Sequence, residues 1–321
     1  MIVIDAETMN QMIVHGDLVD RMEQAMRDDE EGVCQMPERM HVEWDHKTLL
    51  LMPAIIKQYF STKLVSLFPD NPQQHHPVLY GAVLLNDGLS GEPLALLNGA
   101  QLTALRTAAV SAAGIRLTTP PDIQTAGLIG TGVQGFQQIR FACAVRPVKK
   151  VNCFDANNER LNQFISALQP HLPGIELHPC KNAEELVINS QLIITATTAR
   201  SPVLPDDPGL LRNRHYIAIG SYQPGMRELP DAIFKCLDLC IIDTQHAITE
   251  SGDLIDPVHQ ELLNLDNIYT AGKILKNPAY LSSKNHTTLF KSVGMALFDL
   301  YAAIYFYEKA QSSQHLNPVN F

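Results

Sequence analysis

The chain has 321 residues, with 34 acidic and 24 basic side chains and a formal net charge of −10. Hydrophobic residues make up 45% and charged residues 18%, which is typical of a globular protein long enough for two domains. The acidic balance argues against partners that are bound by positive patches, namely nucleic acids and anionic membranes. Six scattered cysteines form no CxxC pair, and neither a signal peptide nor a membrane-length apolar run is evident. We therefore expect a cytoplasmic protein without disulfides.

The first third of the chain mixes helical and strand patterns. Asn86-Asp87-Gly88 is a strong turn signal between two apolar runs, and Pro120-Pro121 ends an Ala-rich stretch. In chain order, the patterns predict an amphipathic helix at 17–26, a strand at 48–52, strands at 79–85 and 93–97, and a helix at 99–117.

Between residues 125 and 243 short apolar runs alternate with helical patterns. Strands are predicted at 126–129, 151–154, 192–197, 216–219 and 239–242, with helices at 133–144, 159–168 and 183–188. Apolar strands that alternate with helices favour a parallel sheet covered on both faces. We therefore predict an α/β fold with a doubly wound parallel sheet. A single long helix is predicted over 287–311.

The most specific motif is a glycine loop that leaves a strand and enters a helix. It has the pattern G-x-G-x-x-G, with Gly130, Gly132 and Gly135. Gly130 would make the tight turn, Gly132 would let the backbone approach a pyrophosphate, and Gly135 would let the helix pack closely on the strand. The helix N-terminus would supply N–H groups to the phosphates. The loop predicts a dinucleotide-binding domain.

An acid at the end of the next strand supports this interpretation. Asp155 lies 25 residues after Gly130 and could accept hydrogen bonds from both ribose hydroxyls while repelling a 2′-phosphate. This favours NADH as the cofactor. The alternatives are that Asp155 only caps the following helix, or that Asn157, Asn158 and Arg160 accommodate the phosphate of NADPH.

Five strings, in register from about Met36 to the last helix, resemble the ornithine cyclodeaminase/μ-crystallin family. They are Thr62-Lys63-Leu64-Val65, Leu105-Arg106-Thr107-Ala108-Ala109-Val110-Ser111-Ala112, Gly130-Thr131-Gly132-Val133-Gln134, Pro224-Gly225-Met226-Arg227-Glu228-Leu229 and Phe290-Lys291-Ser292-Val293-Gly294-Met295-Ala296. The resemblance implies a Rossmann domain at 119–287. It also implies an α+β domain for substrate binding and dimerisation at 1–118, completed by a C-terminal helix at 288–321. A homodimer is therefore expected.

The resemblance also implies a set of site residues. Arg39, Lys63 and Arg106 correspond to a cationic site for the substrate carboxylate, which guanidinium groups bind well. Without the resemblance, Lys63 and Arg106 would be interpreted as surface residues. The implied cofactor contacts are Thr107, Gly130, Gly132, Val133, Gln134, Asp155, Thr197, Ser292 and Gly294. For Ser292 and Gly294, simple packing is the alternative.

One departure from the family pattern bears on the reaction. Tyr222 stands where the cyclodeaminases have an Asp that handles protons, and a phenol is a poor base at neutral pH. Tyr222 could still donate a hydrogen bond or a proton, although packing is an equal alternative. The sequence looks more like the ketimine reductase branch. A reductase needs only a pinned carboxylate, a reduced nicotinamide and exclusion of water.

We therefore expect an NAD(P)H-dependent reductase that converts pyrroline-2-carboxylate to proline, with piperideine-2-carboxylate as a second substrate. Lys63 and Tyr222 are its candidate catalytic residues. Three alternatives stay open: a cyclodeaminase, an open-chain amino-acid dehydrogenase, and a non-catalytic dinucleotide-binding protein. The cyclodeaminase would draw its carboxylate from Asp243, Glu250, Glu228 or Asp253. The histidines show no ligand spacing, so no metal site is expected.

Overall fold

The computed structural model describes residues 1–281, 286–312 and 319, with the side chain of Pro72 outside the description. The chain divides into two units, one of residues 1–107 and 295–321 and one of residues 108–294. Their boundaries differ from the sequence-based ones at 118/119 and 287/288. Residues 313–318 and 320–321, which the predicted C-terminal helix at 288–321 includes, lie outside the described residues.

The first unit combines a sheet with helices from both ends of the chain. Its strands are β1 (Ile2–Ile4), β2 (Met40–Trp44), β3 (Lys47–Ile55), β4 (Tyr59–Leu67), β5 (Leu79–Asp87) and β6 (Pro93–Asn98). Its helices are α1 (Ala6–Met12), α2 (His15–Glu31), α3 (Gly99–Thr118) and α12 (Ala296–Ser312), with a short 3-10 helix at Asn71–Gln74. The division between the two units falls within α3.

The six strands form one sheet in the order β1-β6-β5-β4-β3-β2, and all pairs except β1–β6 are antiparallel. Opposite residues in such a sheet share a face. One face carries the buried row Met52, Lys63, Val83 and Leu97, and α12 contacts β3, β4 and β5. A lysine thus lies in an otherwise apolar row of the core.

The second unit alternates strands and helices. Its strands are β7 (Thr125–Ile129), β8 (Lys150–Phe154), β9 (Glu176–Pro179), β10 (Leu192–Thr195), β11 (His215–Ala218), β12 (Leu239–Ile242), β13 (Ile268–Thr270) and β14 (Thr288–Lys291). Its α-helices are α4 (Val133–Val145), α5 (Asn158–Leu168), α6 (Ala183–Ile188), α7 (Pro208–Leu211), α8 (Asp231–Phe234), α9 (Ala247–Glu250), α10 (Gly252–His259) and α11 (Ala271–Lys276). Its 3-10 helices are Gln169–His171, Leu265–Asn267 and Pro278–Tyr280.

All eight strands of this unit are parallel, in the order β13-β12-β14-β11-β10-β7-β8-β9. The predicted doubly wound sheet is confirmed. From β7 the chain proceeds outward through β8 and β9 and then returns to β10 on the other side of β7. The strand order therefore reverses between β7 and β10, and such switch points are where these sheets bind ligands.

The predicted helix over 287–311 is wrong at its start. Residues 288–291 form β14, which pairs with both β11 and β12 and is buried at every position. Gly294, at φ +78°, separates this strand from α12, which begins at Ala296. Periodicity cannot distinguish a short buried apolar strand from a buried helical turn, and only the pairing of β14 resolves the two.

The lengths and compositions of the helices also bear on membrane crossing. No helix within residues 1–281 and 286–312 combines the length and apolar composition that a bilayer crossing needs.

Candidate active site

The glycine loop lies at the switch point of the parallel sheet. Gly130 follows β7 at φ +100°, a conformation that L side chains rarely adopt. A Cβ there would lie 2.5 Å from the carbonyl oxygen of Ala196, at the end of the neighbouring β10. The amide of Gly130 donates to the carbonyl of Phe154 at 3.1 Å. The loop is therefore fixed between two strand ends.

The other two glycines serve the helix that follows. A Cβ on Gly135 would lie 2.3 Å from the carbonyl oxygen of Gly130, so α4 packs directly on the loop. A Cβ on Gly132 would meet nothing within 4 Å. Because the N-cap of α4 is Gly132, no side chain of that residue covers the first-turn N–H groups.

Val133 and Gln134 are the first two residues of α4. Val133 is 72% exposed at the start of α4. The Oε1 atom of Gln134 is buried and accepts no hydrogen bond from the described residues. Uncovered N–H groups and open space beside Gly132 fit the pyrophosphate of a dinucleotide.

Asp155 is buried beside this loop. Its Oδ2 accepts hydrogen bonds from the Thr131 amide at 2.9 Å and the Thr131 hydroxyl at 2.7 Å, and its Oδ1 accepts from the Asn157 amide at 2.9 Å. Burial acts to raise the pKa of Asp155, but these hydrogen bonds hold it below its usual value. The carboxylate is therefore ionised at neutral pH, as a ribose acceptor requires. It does not cap α5, because the Asn157 side chain does so by accepting from the Arg160 amide.

Thr197 follows β10 at the same edge of the sheet. Its amide and hydroxyl donate to Glu228 Oε1 at 2.7 and 2.8 Å. Ser292 and Gly294 follow β14, where the Ser292 hydroxyl and the Gly294 amide donate to Asp243 Oδ2 at 2.6 and 2.8 Å. That Glu228 and Asp243 accept these hydrogen bonds was not predicted from the sequence.

Tyr222 lies in the loop after β11 and is 41% exposed. Its exposure supports neither a buried proton donor nor a packing residue, so its role stays a prediction. The neighbouring Ser221 is buried and donates to the Met226 carbonyl at 2.7 Å, which holds the backbone of this loop.

The first unit contains a buried cluster of charges. Lys63 on β4 and Arg106 on α3 both pair with Asp299 on α12, at 2.6 Å for Lys63 Nζ and 3.0 Å for Arg106 Nε. All three side chains are buried, with 3%, 7% and 1% exposure respectively. Two cations and one anion leave an excess positive charge in the core, which suits an anionic ligand.

The cluster also sets the protonation of Lys63. Burial lowers the pKa of Lys63 to about 8, Asp299 opposes this shift, and the charges of Arg106 and Arg39 add to it. The structure therefore brings the three predicted cations, Arg39, Lys63 and Arg106, into one electrostatic neighbourhood. Thr107 directly follows Arg106 on α3 and is half-buried.

Asp299 is the residue of this cluster that sequence reasoning missed. It is the single acid in the apolar first turns of α12, where residues 296–306 are all buried. An acid in such a helix is rarely buried without a partner, and this was the available signal.

A group of side chains with metal-ligand chemistry lies at the outer edge of the parallel sheet. The ligand atoms of His178, Cys180 and Glu185 lie within 4.8 Å of one another. Burial and the charge of Glu185 raise the pKa of the Cys180 thiol to about 11, and Glu185 already accepts from the Lys181 amide at 2.8 Å. These residues lie at the corner between β9 and α6. The absence of a metal stays a prediction.

A glycine loop at the switch point of a doubly wound sheet, followed by an ionised acid at the end of the next strand, is typical of a dinucleotide-binding domain. The chain matches the ornithine cyclodeaminase/mu-crystallin family over residues 1–314 and belongs to that family. The predicted family is therefore confirmed.

Individual relatives narrow the comparison. The chain is 33% identical to a Delta(1)-pyrroline-2-carboxylate reductase of Bacillus cereus, over 83% of this chain and 82% of that protein. It is 31% identical to the ketimine reductase mu-crystallin of Rattus norvegicus, over 82% and 81% of the two chains. A solved Delta(1)-pyrroline-2-carboxylate reductase of Thermococcus litoralis, in complex with NADH and L-proline, superimposes with a TM-score of 0.91 at 30% identity. That superposition covers 99% of this chain and all of the other.

Proposed function

We propose that this protein is an NADH-dependent reductase of cyclic ketimine carboxylates, with pyrroline-2-carboxylate reduced to L-proline. The single observation that carries the proposal is the buried cluster of Lys63, Arg106 and Asp299, which holds net positive charge in the core. The names of the relatives support the same reaction. The six-membered homologue, piperideine-2-carboxylate, is the second substrate.

The cationic residues bind and orient the substrate. Arg106 offers a planar guanidinium that can hold a carboxylate through two hydrogen bonds, and Arg39 adds a second guanidinium. Asp299 accepts from Arg106 Nε and so fixes the direction in which the remaining N–H groups point. The carboxylate is thereby held in one orientation, with the adjacent imine carbon exposed to attack.

Proton delivery falls to Lys63. Reduction adds a proton to the imine nitrogen and a hydride to the carbon that bears the carboxylate, and the bound reduced nicotinamide supplies that hydride. A lysine whose pKa is about 8 is largely protonated at neutral pH, yet it gives up its proton far more readily than an exposed lysine. Tyr222 is proposed as a hydrogen-bond donor to the same substrate.

The second unit holds the cofactor. Gly130, Gly132, Val133 and Gln134 receive the pyrophosphate on the uncovered first turn of α4, and Asp155 accepts from the ribose hydroxyls. An ionised Asp155 repels a 2′-phosphate, so NADH is preferred over NADPH. Thr107, Thr197, Ser292 and Gly294 are proposed as the remaining cofactor contacts.

The decisive experiment is a cofactor-oxidation panel. Purified protein is mixed with pyrroline-2-carboxylate or piperideine-2-carboxylate and with NADH or NADPH, and the oxidation of the reduced cofactor is followed by its absorbance. The proposal requires NADH oxidation with at least one imine and formation of the matching cyclic amino acid. No oxidation with either imine would overturn it.

The same preparation separates the alternative activities. Ornithine converted to proline and ammonia without net use of NADH would identify a cyclodeaminase. Against this, Asp243 is engaged by the Ser292–Gly294 turn, and Asp253 pairs with Lys291 at 2.9 Å. Turnover of pyruvate plus ammonia, but of no cyclic imine, would identify an open-chain dehydrogenase.

A homodimer is part of the proposal, and the outer face of the six-stranded sheet supports it. Met40, Leu51, Leu64 and Ala82 lie side by side across β2 to β5 on the face opposite Lys63. Met40 is 58% and Leu64 is 43% exposed. An apolar stripe of this kind is typical of a protein–protein interface, and a second copy of the chain can cover it symmetrically. Light scattering of the purified protein should give twice the chain mass, and a monomer at micromolar concentration would contradict the proposal.

We also propose a cytoplasmic location. All six cysteines are unpaired, which suits a reducing compartment. Cell fractionation should recover the protein with cytosolic markers, and recovery from a secreted fraction would contradict this location.

A further inference from the structure

Glu228 is a fully buried carboxylate that joins two strand ends at the edge of the parallel sheet where the glycine loop lies. Its Oε1 accepts from the Thr197 amide at 2.7 Å and the Thr197 hydroxyl at 2.8 Å. Its Oε2 accepts from the Gly220 amide at 2.7 Å and the Thr195 hydroxyl at 3.0 Å. Four donors on one carboxylate link the segment after β10 to the segment after β11.

Glu228 is itself held from behind by a second buried acid. The amides of Glu228 and Leu229 donate to Asp253 Oδ1 at 2.7 and 2.9 Å, and Asp253 Oδ2 pairs with Lys291 Nζ at 2.9 Å. Asp253 and Lys291 are both fully buried. The position of Glu228 is therefore determined by α10 and β14 as well as by its own loop, which gives the carboxylate little freedom to move.

This network determines which side of Thr197 faces the glycine loop. Because the Thr197 hydroxyl donates to Glu228, the methyl group is turned toward Gly130, where a Cβ would lie 2.9 Å from Thr197 Cγ2. Gly220 is equally constrained, since a Cβ there would lie 2.1 Å from the Thr197 carbonyl oxygen. The hydroxyl of Thr197 is thus committed to the protein, and the residue meets the loop through its methyl group.

We propose that Glu228 is a positioning residue for cofactor binding, which fixes Thr197 and the start of the Gly220–Tyr222 loop at the edge where the glycine loop lies. This inference rests on the proposed function in so far as that function places a dinucleotide at this edge. Glu228 does not touch the reacting atoms, and it acts through the groups that donate to it.

Glu228→Gln is the direct test, because the substituted amide keeps the shape but cannot accept four hydrogen bonds. In either orientation its NH2 group faces a backbone N–H and a hydroxyl, so at least one buried backbone donor loses its acceptor. We expect the NADH dissociation constant, measured by fluorescence without substrate, to rise about tenfold or more. The KM for imine at saturating NADH should change less than about threefold, because Lys63, Arg106 and Asp299 are untouched.

Two further variants keep the test decisive. Glu184→Gln, at an exposed carboxylate of the same unit, is the matched control and should bind NADH like the wild type. Thr197→Val leaves Glu228 and most of its partners intact, and it should weaken NADH binding about fivefold even if Glu228→Gln does not fold. If Glu228 acts through Thr197, the double variant should lose less affinity than the product of the two single losses.

The outcomes distinguish this inference from the proposed function. Unchanged NADH binding in both Glu228→Gln and Thr197→Val, or strictly multiplicative losses in the double variant, would overturn the positioning role. A wild-type protein that binds NADH but reduces no imine would overturn the proposed function and leave the binding test valid.

Discussion

Lys63 is a buried lysine whose charge depends on both an acidic neighbour and two basic neighbours. Burial lowers its pKa to about 8. Asp299 opposes this shift, whereas Arg106 and Arg39 add to it. If the protonated form delivers the proton, activity is present below a pH of about 8 and is lost as the pH rises through that pKa. The value of kcat/KM for imine should therefore fall on the alkaline side with a midpoint near a pH of about 8.

Two variants should move this midpoint in opposite directions. Asp299→Asn removes the anion that favours charged Lys63, so the midpoint should move about one pH unit or more to lower pH. Arg39→Met removes a repelling cation, so the midpoint should move to higher pH. The imine's own ionisation is the same in all three proteins and cannot produce opposite shifts. Identical pH profiles of kcat/KM for the three proteins would contradict the role of Lys63.

Asp155 provides the second prediction at the residue scale. Its lowered pKa keeps it ionised, so Asp155→Ala removes both an acceptor for the ribose and a repulsion toward a 2′-phosphate. We expect the KM for NADH to rise about tenfold or more, with a much smaller change for NADPH. Glu159→Gln, which removes an exposed carboxylate nearby on α5, should leave both values unchanged. Equal losses with the two cofactors would count against the ribose role.

At the scale of elements, two glycines at the start of α4 have different roles: Gly135 allows packing and Gly132 allows cofactor binding. A Cβ on Gly135 would lie 2.3 Å from the Gly130 carbonyl, whereas a Cβ on Gly132 meets nothing within 4 Å. Gly135→Ala should therefore lower the melting temperature of the protein, because α4 must move away from the loop. Gly132→Ala should leave the melting temperature of the cofactor-free protein nearly unchanged but weaken NADH binding at least about tenfold, because the methyl group occupies the pyrophosphate approach. Thermal unfolding with and without NADH measures both effects, and a large loss of intrinsic stability in Gly132→Ala would contradict this division.

At the scale of the whole molecule, the proposed homodimer has its interface on the outer face of the six-stranded sheet. Leu64→Glu places a charge in the middle of the apolar row that crosses β2 to β5, so the dimer should dissociate to monomer at micromolar concentration. Leu89→Glu is the matched control, because Leu89 is 84% exposed in the turn between β5 and β6 and lies outside the row. Light scattering of both variants distinguishes them. A dimer that persists in Leu64→Glu would place the interface elsewhere.

The parts of the fold that could be predicted from the sequence are those determined by residues adjacent in the chain. The glycine loop, the strand before it and the helix after it are contiguous, and each has a local physical requirement. The hairpin around Asn86-Asp87-Gly88 and most strands of the parallel sheet were predicted for the same reason. The error at β14 arose where the local pattern was ambiguous and only pairing with β11 and β12 decided the conformation.

The buried acids show where sequence reasoning ends. Arg106 and Asp299 meet across 193 residues of sequence, and Thr197 and Glu228 across 31. Nothing in the local pattern around an acid says which cation or amide it will meet. The family resemblance supplied Arg39, Lys63 and Arg106 as a set, but it did not supply Asp299, the carboxylate that pairs with Lys63 and Arg106.

The sequence by itself determined the class of fold and the dinucleotide loop, because glycine spacing and apolar periodicity act over a few residues, and the resemblance of five strings indicated the family. Only the tertiary structure decided how the ionisable groups are paired. An acidic chain of net charge −10 keeps Lys63 and Arg106 in its interior beside Asp299, and it uses Glu228, Asp253 and Asp243 to hold strand ends. The physical reason is that burying a charge is costly unless a partner is in contact, and such contacts form between elements that are distant in sequence.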